Sequence, residues 1–273
     1  AFILLAKEDP LAAERAGARS KSFMEQMEPL RELRVWRFAL YYFFVFGAFV
    51  ALALWLPHFL IGVYGLDIKT AGIIAALYTI PASLFRILGG WLSDRFGARR
   101  VMYWTFGASV VCTFLLSYPP TDYVVQGIDG DIRFTLAMNL PMFVALIFIL
   151  GFFMSLGKAA VYKHIPVYYP KHVGAVGGVV GMIGGLGGFI LPLTFGALND
   201  LTGIWQSCFM LMFAIVAAAL AWMHYAIRSA EREEWAANEE RTDLPELSSP
   251  HLFYPLNRKK TADPLASPAD AGH

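Results

Sequence analysis

Six long apolar runs constrain the fold of this chain more than any other feature. Each approaches or exceeds the roughly 20 residues with which a helix crosses the hydrocarbon core of a bilayer. The runs are Trp36 to Tyr64, Ile68 to Leu92, Val101 to Tyr118, Leu140 to Tyr162, Val173 to Leu198 and Trp205 to Ile227. Short links that begin or end in Gly, Pro, Asp or Asn separate them. The sequence therefore predicts an all-α membrane protein with six transmembrane helices.

Composition agrees with a membrane protein. Hydrophobic residues make up 57% of the chain and charged residues 16%, against about 45–50% and 25% in soluble domains. Cys112 and Cys208 lie in separate apolar runs without metal-ligand spacing and are interpreted as packing residues. The runs contain no paired carboxylates, Ser/His dyad or metal cluster of the kind that would indicate an intramembrane enzyme. We therefore expect no enzymatic activity, no cofactor or metal, and no nucleic-acid partner.

The Lys and Arg residues predict the orientation. They concentrate before the first run and after the second, fourth and sixth, whereas the opposite side has only Lys69 and Arg133 together with several aspartates. Because cytoplasmic loops are enriched in Lys and Arg, both ends are predicted to be cytoplasmic, as an even number of crossings also requires. We expect a multi-pass protein of a bacterial inner membrane, with residues 36–228 as the bundle and 229–273 as a disordered cytoplasmic tail.

Three basic residues lie inside the apolar runs: Arg86, Lys158 and Lys163. An ionisable group at membrane depth costs at least about 2.5 kcal/mol and usually faces a cavity or a partner. Every acidic residue can be assigned to a link, a helix end or a tail, so the buried positive charge predicts an anionic ligand. A guanidinium suits planar oxyanions because it stays charged and presents paired donors in one plane.

Helical spacing gives each of these cations a predicted setting. The face of Arg86 is small and polar, and it consists of Thr79, Ala82, Ser83, Gly89 and Gly90. Arg86 could instead pair with a carboxylate from another part of the molecule or with backbone carbonyls at a helix end. Lys158 shares a face with Gly151, Ser155 and Tyr162 and is expected to line the same cavity, while Lys163 is expected to reach the membrane interface.

The segment after the second run resembles a known motif. Gly90-Trp91-Leu92-Ser93-Asp94-Arg95-Phe96-Gly97-Ala98-Arg99-Arg100 is similar to the G-x-L-x-D-R-x-G-x-R-R motif between the second and third helices of each half in the major facilitator superfamily. The resemblance implies that Asp94 and Arg95 latch the two halves of a rocking transporter. Simple positive-inside anchoring would explain the arginines but not Asp94 and the two glycines.

The fifth run has eight glycines from Gly174 to Gly188. It is similar to the glycine-rich nitrate signature on the eleventh of twelve helices in the nitrate/nitrite porters, the NarK-like branch of the superfamily. The resemblance implies that the six helices form the C-terminal half of a twelve-helix fold. Residues 1–35 would then be the cytoplasmic central loop, with 1–6 as the end of a preceding helix. Two overlapping glycine faces result, one of Gly174, Gly178, Gly181, Gly185 and Gly188 and the other of Gly177, Gly181, Gly184 and Gly188. Tight packing without any substrate role stays open for these glycines.

The resemblance also implies individual roles. Arg86 matches the arginine that binds nitrate oxygens in these porters, and Tyr42 matches a tyrosine that lines the same site, with Tyr41 as the competitor if the register is off by one. Gly157 to Pro166 resembles the proton-coupled symporter branch more than the exchanger branch. The predicted substrate-binding residues are Arg86, Tyr42, Gly178, Gly181 and Gly185, and the predicted coupling or gating residues are Lys158, Tyr162, Asp94, Arg95, Gly184 and Gly188.

The implied function is transport of nitrate or nitrite by alternating access, as proton-coupled nitrate uptake or as nitrate/nitrite exchange. The expected partners are the anion, a proton as coupling ion, the lipid bilayer and an N-terminal six-helix half. Two alternatives remain open from the sequence. One is another anion transporter of the superfamily, for example for organic phosphates, and the other is a non-transporting membrane scaffold or sensor with the same fold.

Overall fold

The computed structural model describes residues 28–128 and 130–236, and within them it contains six long helices and one β-hairpin. The middle of the first helix, Phe43–Ala48, is π-helical. The helices are α1 (Leu33–Tyr64), α2 (Ile68–Phe96), α3 (Ala98–Leu116), α4 (Leu140–Tyr168), α5 (Val173–Thr202) and α6 (Ser207–Ala236), and the strands are β1 (Thr121–Gly127) and β2 (Gly130–Leu136).

Each predicted apolar run corresponds to one of these helices. By length and composition, α1, α2, α4, α5 and α6 are suited to cross a membrane. The remaining helix, α3, has 19 residues, begins with Ala98, Arg99 and Arg100, and packs against α2, α4 and α6. Its neighbours rather than its own hydropathy place it in the bundle.

Four helices extend beyond their predicted C-terminal ends, among them α5, which continues from Leu198 to Thr202. α2 continues to Phe96, which places Asp94 and Arg95 on the helix itself, and α4 continues to Tyr168 through Pro166. α6 continues to Ala236, past the predicted start of the tail at 229. The sequence there is rich in Ala, Glu and Arg, which have high helix propensity. The predicted helix end at 1–6 and the remainder of the tail, 237–273, lie outside the described residues.

The link between the third and fourth helices contains structure that the sequence prediction missed. β1 and β2 form an antiparallel hairpin in which Tyr123 pairs with Phe134 and Val125 with Ile132. The available signal was the alternation of apolar residues on both sides of Gly127 and Gly130. The chain is therefore predominantly helical, with one β-element at the end of the bundle where α3 ends and α4 begins.

Close backbone contacts fix how the helices cross. A Cβ built on Gly47 of α1 would lie 2.7 Å from the carbonyl oxygen of Gly184 on α5. A Cβ on Gly89 of α2 would lie 2.7 Å from the Cα of Leu156 on α4. Real Cβ atoms do not approach so closely, so both crossings require glycine, as expected where membrane helices pack backbone to backbone. Next to the second crossing, the Ser155 hydroxyl donates to the carbonyl oxygen of Ala82.

Polar residues hold the helix ends. Asp67 caps α2: its carboxylate accepts from the backbone N–H groups of Lys69 and Thr70, each at 3.1 Å, and from the Thr70 hydroxyl at 2.6 Å. These hydrogen bonds, led by that of the Thr70 hydroxyl, lower the pKa of Asp67. After α4, the Tyr169 hydroxyl donates to the Glu32 carboxylate at 2.6 Å. Burial, together with that bond, raises the pKa of Tyr169. The second contact ties the end of α4 to the start of α1.

Candidate functional site

Four side chains from α1, α2 and α4 lie near one another. The Tyr42 hydroxyl of α1 lies within electrostatic range of Arg86 of α2 and Tyr162 of α4. The rings of Tyr42 and Tyr162 meet edge to face, with centroids 4.9 Å apart. Lys158, one turn before Tyr162, lies within electrostatic range of Arg86. The structure thus brings together four of the residues that the sequence predicted for binding and coupling.

The π-helical segment positions Tyr42. The Tyr42 ring stacks on Phe46 at 5.0 Å between centroids, and a Cβ on Gly184 would overlap the Tyr42 ring. Tyr41, the alternative in the sequence register, contacts Phe106 of α3 instead, at 5.3 Å between centroids. Single π-helical turns inside α-helices are frequent at functional sites. Here the π-helical turn begins directly after the tyrosine that faces Arg86.

Arg86 lies on the exposed side of α2, at the edge of its packed face. Of the five residues predicted on its face, Ala82 and Gly89 are buried against α4. The other three, Thr79, Ser83 and Gly90, are half-buried or exposed. The hydroxyls of Thr79 and Ser83 donate to backbone carbonyls one turn earlier, at 3.0 and 2.8 Å. The small, polar face predicted around Arg86 is therefore narrower than expected, because Ala82 and Gly89 pack against α4 instead.

Lys158 differs from the prediction in its surroundings. Only 4% of its surface is exposed, and its ammonium lies 3.0 Å from the centroid of the Phe49 ring. Lys158 therefore lies beneath the surface that it was expected to line. There, the cation–π contact with Phe49 replaces part of the hydration that burial removes. The sequence could not identify Phe49 as its neighbour, because that contact joins α1 to α4.

Lys163 also has an unpredicted partner. Its ammonium forms an ion pair with the Asp94 carboxylate, which joins α4 to α2. The pair lies at the partly exposed ends of both helices. Arg95, beside Asp94, lies with its guanidinium 5.4 Å from the Trp91 ring centroid. Asp94, which the motif implies as a latch between halves, is thus paired inside this half.

The glycines of α5 divide into two groups. Gly177, Gly181, Gly184, Gly187 and Gly188 face the rest of the bundle, where a Cβ would meet Tyr162, Tyr42, Phe43 or Val50 within 3.7 Å. At Gly177, the Tyr162 hydroxyl also donates a hydrogen bond to the glycine carbonyl oxygen at 3.3 Å. By contrast, a Cβ on Gly174, Gly178 or Gly185 would meet no described atom within 4 Å.

The arrangement is suited to an anion. The four helices that form it, α1, α2, α4 and α5, contain only two carboxylates, Asp94 and Asp200, and both lie at helix ends. The Arg86 guanidinium and the Tyr42 hydroxyl supply donors, and the buried ammonium of Lys158 adds positive potential. Residues that the sequence prediction missed at this site are Phe46 and Phe49, which orient Tyr42 and cover Lys158.

Comparison with known families agrees with this architecture. The family model described as Major Facilitator Superfamily matches residues 1–130 and 38–262. The chain belongs to the major facilitator superfamily. Its six helices form half of the twelve-helix fold, as the sequence predicted. The motif from Gly90 to Arg100 lies at the junction of α2 and α3, the position that the resemblance implied.

Curated members of the superfamily with similar sequences have names that refer to nitrate or nitrite. The chain is 46% identical over 228 residues to the "Probable nitrate/nitrite antiporter NarK1" of Thermus thermophilus, which covers 82% of this chain and 51% of the relative. It is 30% identical over 203 residues to the "Nitrite extrusion protein" of Bacillus subtilis, covering 73% of this chain and 47% of the relative. The chain therefore spans about half the length of the curated relatives it matches.

Solved transporters share the fold at low sequence identity. A tetrameric PepTSo2 structure aligns with a TM-score of 0.57 and 15% identity, covering 71% of this chain and 41% of that one. A POT family transporter in complex with 5-aminolevulinic acid aligns with a TM-score of 0.59 and 18% identity, covering 71% and 38%. These likenesses support the helical arrangement of a superfamily half.

Proposed function

We propose that this chain supplies one half of a membrane porter that transports nitrate or nitrite by alternating access. The observation that carries the proposal is the convergence of Arg86, Tyr42 and Tyr162 on the open side of the bundle. The names of the similar proteins favour the same substrates.

The donor geometry favours a small planar oxyanion. The guanidinium of Arg86 presents two coplanar N–H groups, which match two oxygens of nitrate or nitrite. The edge-to-face packing of Tyr42 on Tyr162 limits the space beside that plane. A phosphate ester would bring a tetrahedral group and a larger substituent into the same space.

The second half of the porter is a partner in this proposal. Gly174, Gly178 and Gly185 leave one side of α5 open next to the Arg86 site. We infer that six further helices cover this side and supply the opposing wall of the substrate cavity, with both ends of this chain cytoplasmic in a bacterial inner membrane. The halves would rock about the bound anion, and access would alternate between the two sides of the membrane.

Lys158 is proposed to couple proton movement to transport. It is buried under the Phe49 ring and lies within range of the Arg86 charge. A buried lysine can change its protonation state when its solvation changes. Arrival of an anion at Arg86 would stabilise the charged form of Lys158, and departure would favour release of its proton.

Replacement of Arg86 tests substrate binding. In the full-length protein, Arg86→Lys keeps the charge but loses the paired coplanar donors. A loss of about 2 kcal/mol of binding free energy corresponds to about 30-fold in affinity, so the affinity for nitrate should fall at least that much. The measurement is nitrate binding to purified protein, with Arg133→Lys on the hairpin as the matched control. Affinity close to the parent's would remove Arg86 from the site. Competition by phosphate esters but not by nitrite would instead indicate an organic-phosphate carrier.

Replacement of Lys158 tests coupling separately. Lys158→Gln should weaken nitrate accumulation driven by a proton gradient while nitrate still binds, because glutamine cannot exchange a proton. Uptake into vesicles is measured at several external pH values, with Lys69→Gln at the exposed start of α2 as the control. An unchanged pH dependence in Lys158→Gln would exclude Lys158 from coupling.

A further inference from the structure

The hairpin formed by β1 and β2 has two chemically different faces. Cross-strand pairs of Tyr123 with Phe134 and Val125 with Ile132 make one face apolar, and the first of these pairs stacks its rings at 5.4 Å between centroids. The opposite face pairs Asp122 with Thr135, Val124 with Arg133 and Gln126 with Asp131. On that polar face the Thr135 hydroxyl donates to the Asp122 carboxylate at 2.5 Å.

The apolar face is largely uncovered within the described residues. Ile132 is 59% exposed and Phe134 50%, and Ile128 at the turn is fully exposed. Neither strand packs extensively against a helix. An isolated two-stranded hairpin is at best marginally stable in water, so its apolar face needs a further packing partner. Something outside the described residues is therefore expected to cover that face.

The position of the hairpin identifies the covering layer. Its two links to the helices, residues 117–120 and 137–139, are short. The second link is also fixed, because the Tyr64 hydroxyl donates to the Met138 carbonyl oxygen at 3.2 Å and Asn139 caps α4. Chains of three or four residues reach at most about 14 Å. The hairpin is therefore held close to the ends of α3 and α4, at the level where a spanning helix leaves the bilayer.

The hairpin also continues an outward-facing apolar surface. The helix that leads into it, α3, contains none of the candidate site residues and exposes Val111, Phe114 and Leu115 along its second half. Tyr118, between α3 and the hairpin, is also exposed. By contrast, the residues proposed to meet the other half of the porter lie on α2 and α5. The hairpin thus follows in the chain on an exposed apolar stretch that contains no candidate site residue.

We propose that the apolar face of the hairpin lies on the lipid interface of the membrane. Tyr123, Phe134 and the nearby Tyr118 are residues of the type enriched at headgroup level, while Asp122, Asp131 and Arg133 on the opposite face stay in water. The hairpin acts as an interfacial anchor beside α3 and α4, comparable in principle to an amphipathic helix that lies in the interface plane. This inference is independent of the transported substrate.

Site-directed labelling of the two faces tests the proposal. Ile132→Cys and, as a matched control on the polar face, Gln126→Cys are made in the full-length protein and labelled with an environment-sensitive NBD fluorophore. The native cysteines of the described chain, Cys112 and Cys208, are buried, and labelling of the parent protein gives the background. The proteins are reconstituted in phosphatidylcholine vesicles with or without lipids that bear a doxyl quencher near the headgroup.

The proposal expects strong quenching by the doxyl lipid at position 132 and several-fold weaker quenching at position 126. Val125→Cys, on the strand opposite Ile132, provides a second apolar-face position if Ile132→Cys does not fold. Equal quenching on both faces would overturn the proposal. So would a label at position 132 that is shielded from both doxyl lipid and aqueous iodide, because protein rather than lipid would then cover the apolar face.

Discussion

The two sides of α5 contain the same residue type for different reasons. On one side, Gly184 and Gly187 let the backbone of α5 touch α1, and the shape of this half requires them. On the other side, Gly178 and Gly185 meet no described atom within 4 Å, so nothing in this half explains the absence of a side chain. The comparison separates glycines needed for the packing of this half from glycines whose small size the described residues do not require.

The largest expected effect comes from the touching side. Gly184→Ala puts a methyl group into the Tyr42 ring, and overpacking of this kind typically costs about 1–3 kcal/mol. The thermal unfolding temperature of the purified protein should fall clearly. Gly185→Ala, one residue away on the open side, is the matched control and should not lower it, because alanine is the better helix former. If both variants unfold alike, the division of α5 into two sides is wrong.

A larger substitution on the open side should separate function from stability. Gly185→Leu has room in this half, and leucine is the better helix former, so the protein should insert and unfold like the parent. Uptake should nevertheless fall more than about tenfold, because a side chain there would separate surfaces that have to meet. The measurement is nitrate uptake normalised to the amount of protein in the membrane. Normal uptake would indicate that this side of α5 faces lipid.

Gly181 faces the bundle but approaches only the end of one side chain, so it should show the smallest effect. A Cβ there would lie 2.9 Å from the Tyr162 hydroxyl, which can move away at the expense of its bond to the Gly177 carbonyl. A lost hydrogen bond predicts that Gly181→Ala lowers the free energy of unfolding of the purified protein by about 0.5–1.5 kcal/mol. Tyr162→Phe, which removes the same hydroxyl, should give a similar loss. A much larger loss in Gly181→Ala than in Tyr162→Phe would mean that Gly181 acts in another way.

The sequence was sufficient for the helices but not for the neighbours of each helix. Apolar runs of spanning length identified all six helices, since the bilayer imposes that length on any spanning segment. The same periodicity gave two overlapping glycine faces on α5 without indicating which one packs, because the contacts come from Tyr42, Phe43 and Val50 on α1. Long-range contacts of this kind leave no signature in local spacing.

The candidate site was predictable to a similar degree. Arg86 and Lys158 stand out in any sequence because charge is rare at membrane depth, and the resemblance to the porters added Tyr42. The ring of Phe49 over Lys158 and the ion pair of Asp94 with Lys163 were missed. Both depend on how α1, α2 and α4 cross, which is set by small residues such as Gly89.

Gly89 joins the two helices on which the cations lie. Arg86 is three residues before this contact on α2, and Lys158 is two residues after Leu156, the residue that Gly89 meets on α4. Two backbones already in contact cannot approach further, so a rocking motion moves both cations as a unit. In the proposed cycle the distance between the two cations would then stay constant, and the electric field of this half would change only with the protonation state of Lys158. Release of the anion would follow from that change, from water that enters from one side, and from the donors of the opposing wall as they withdraw.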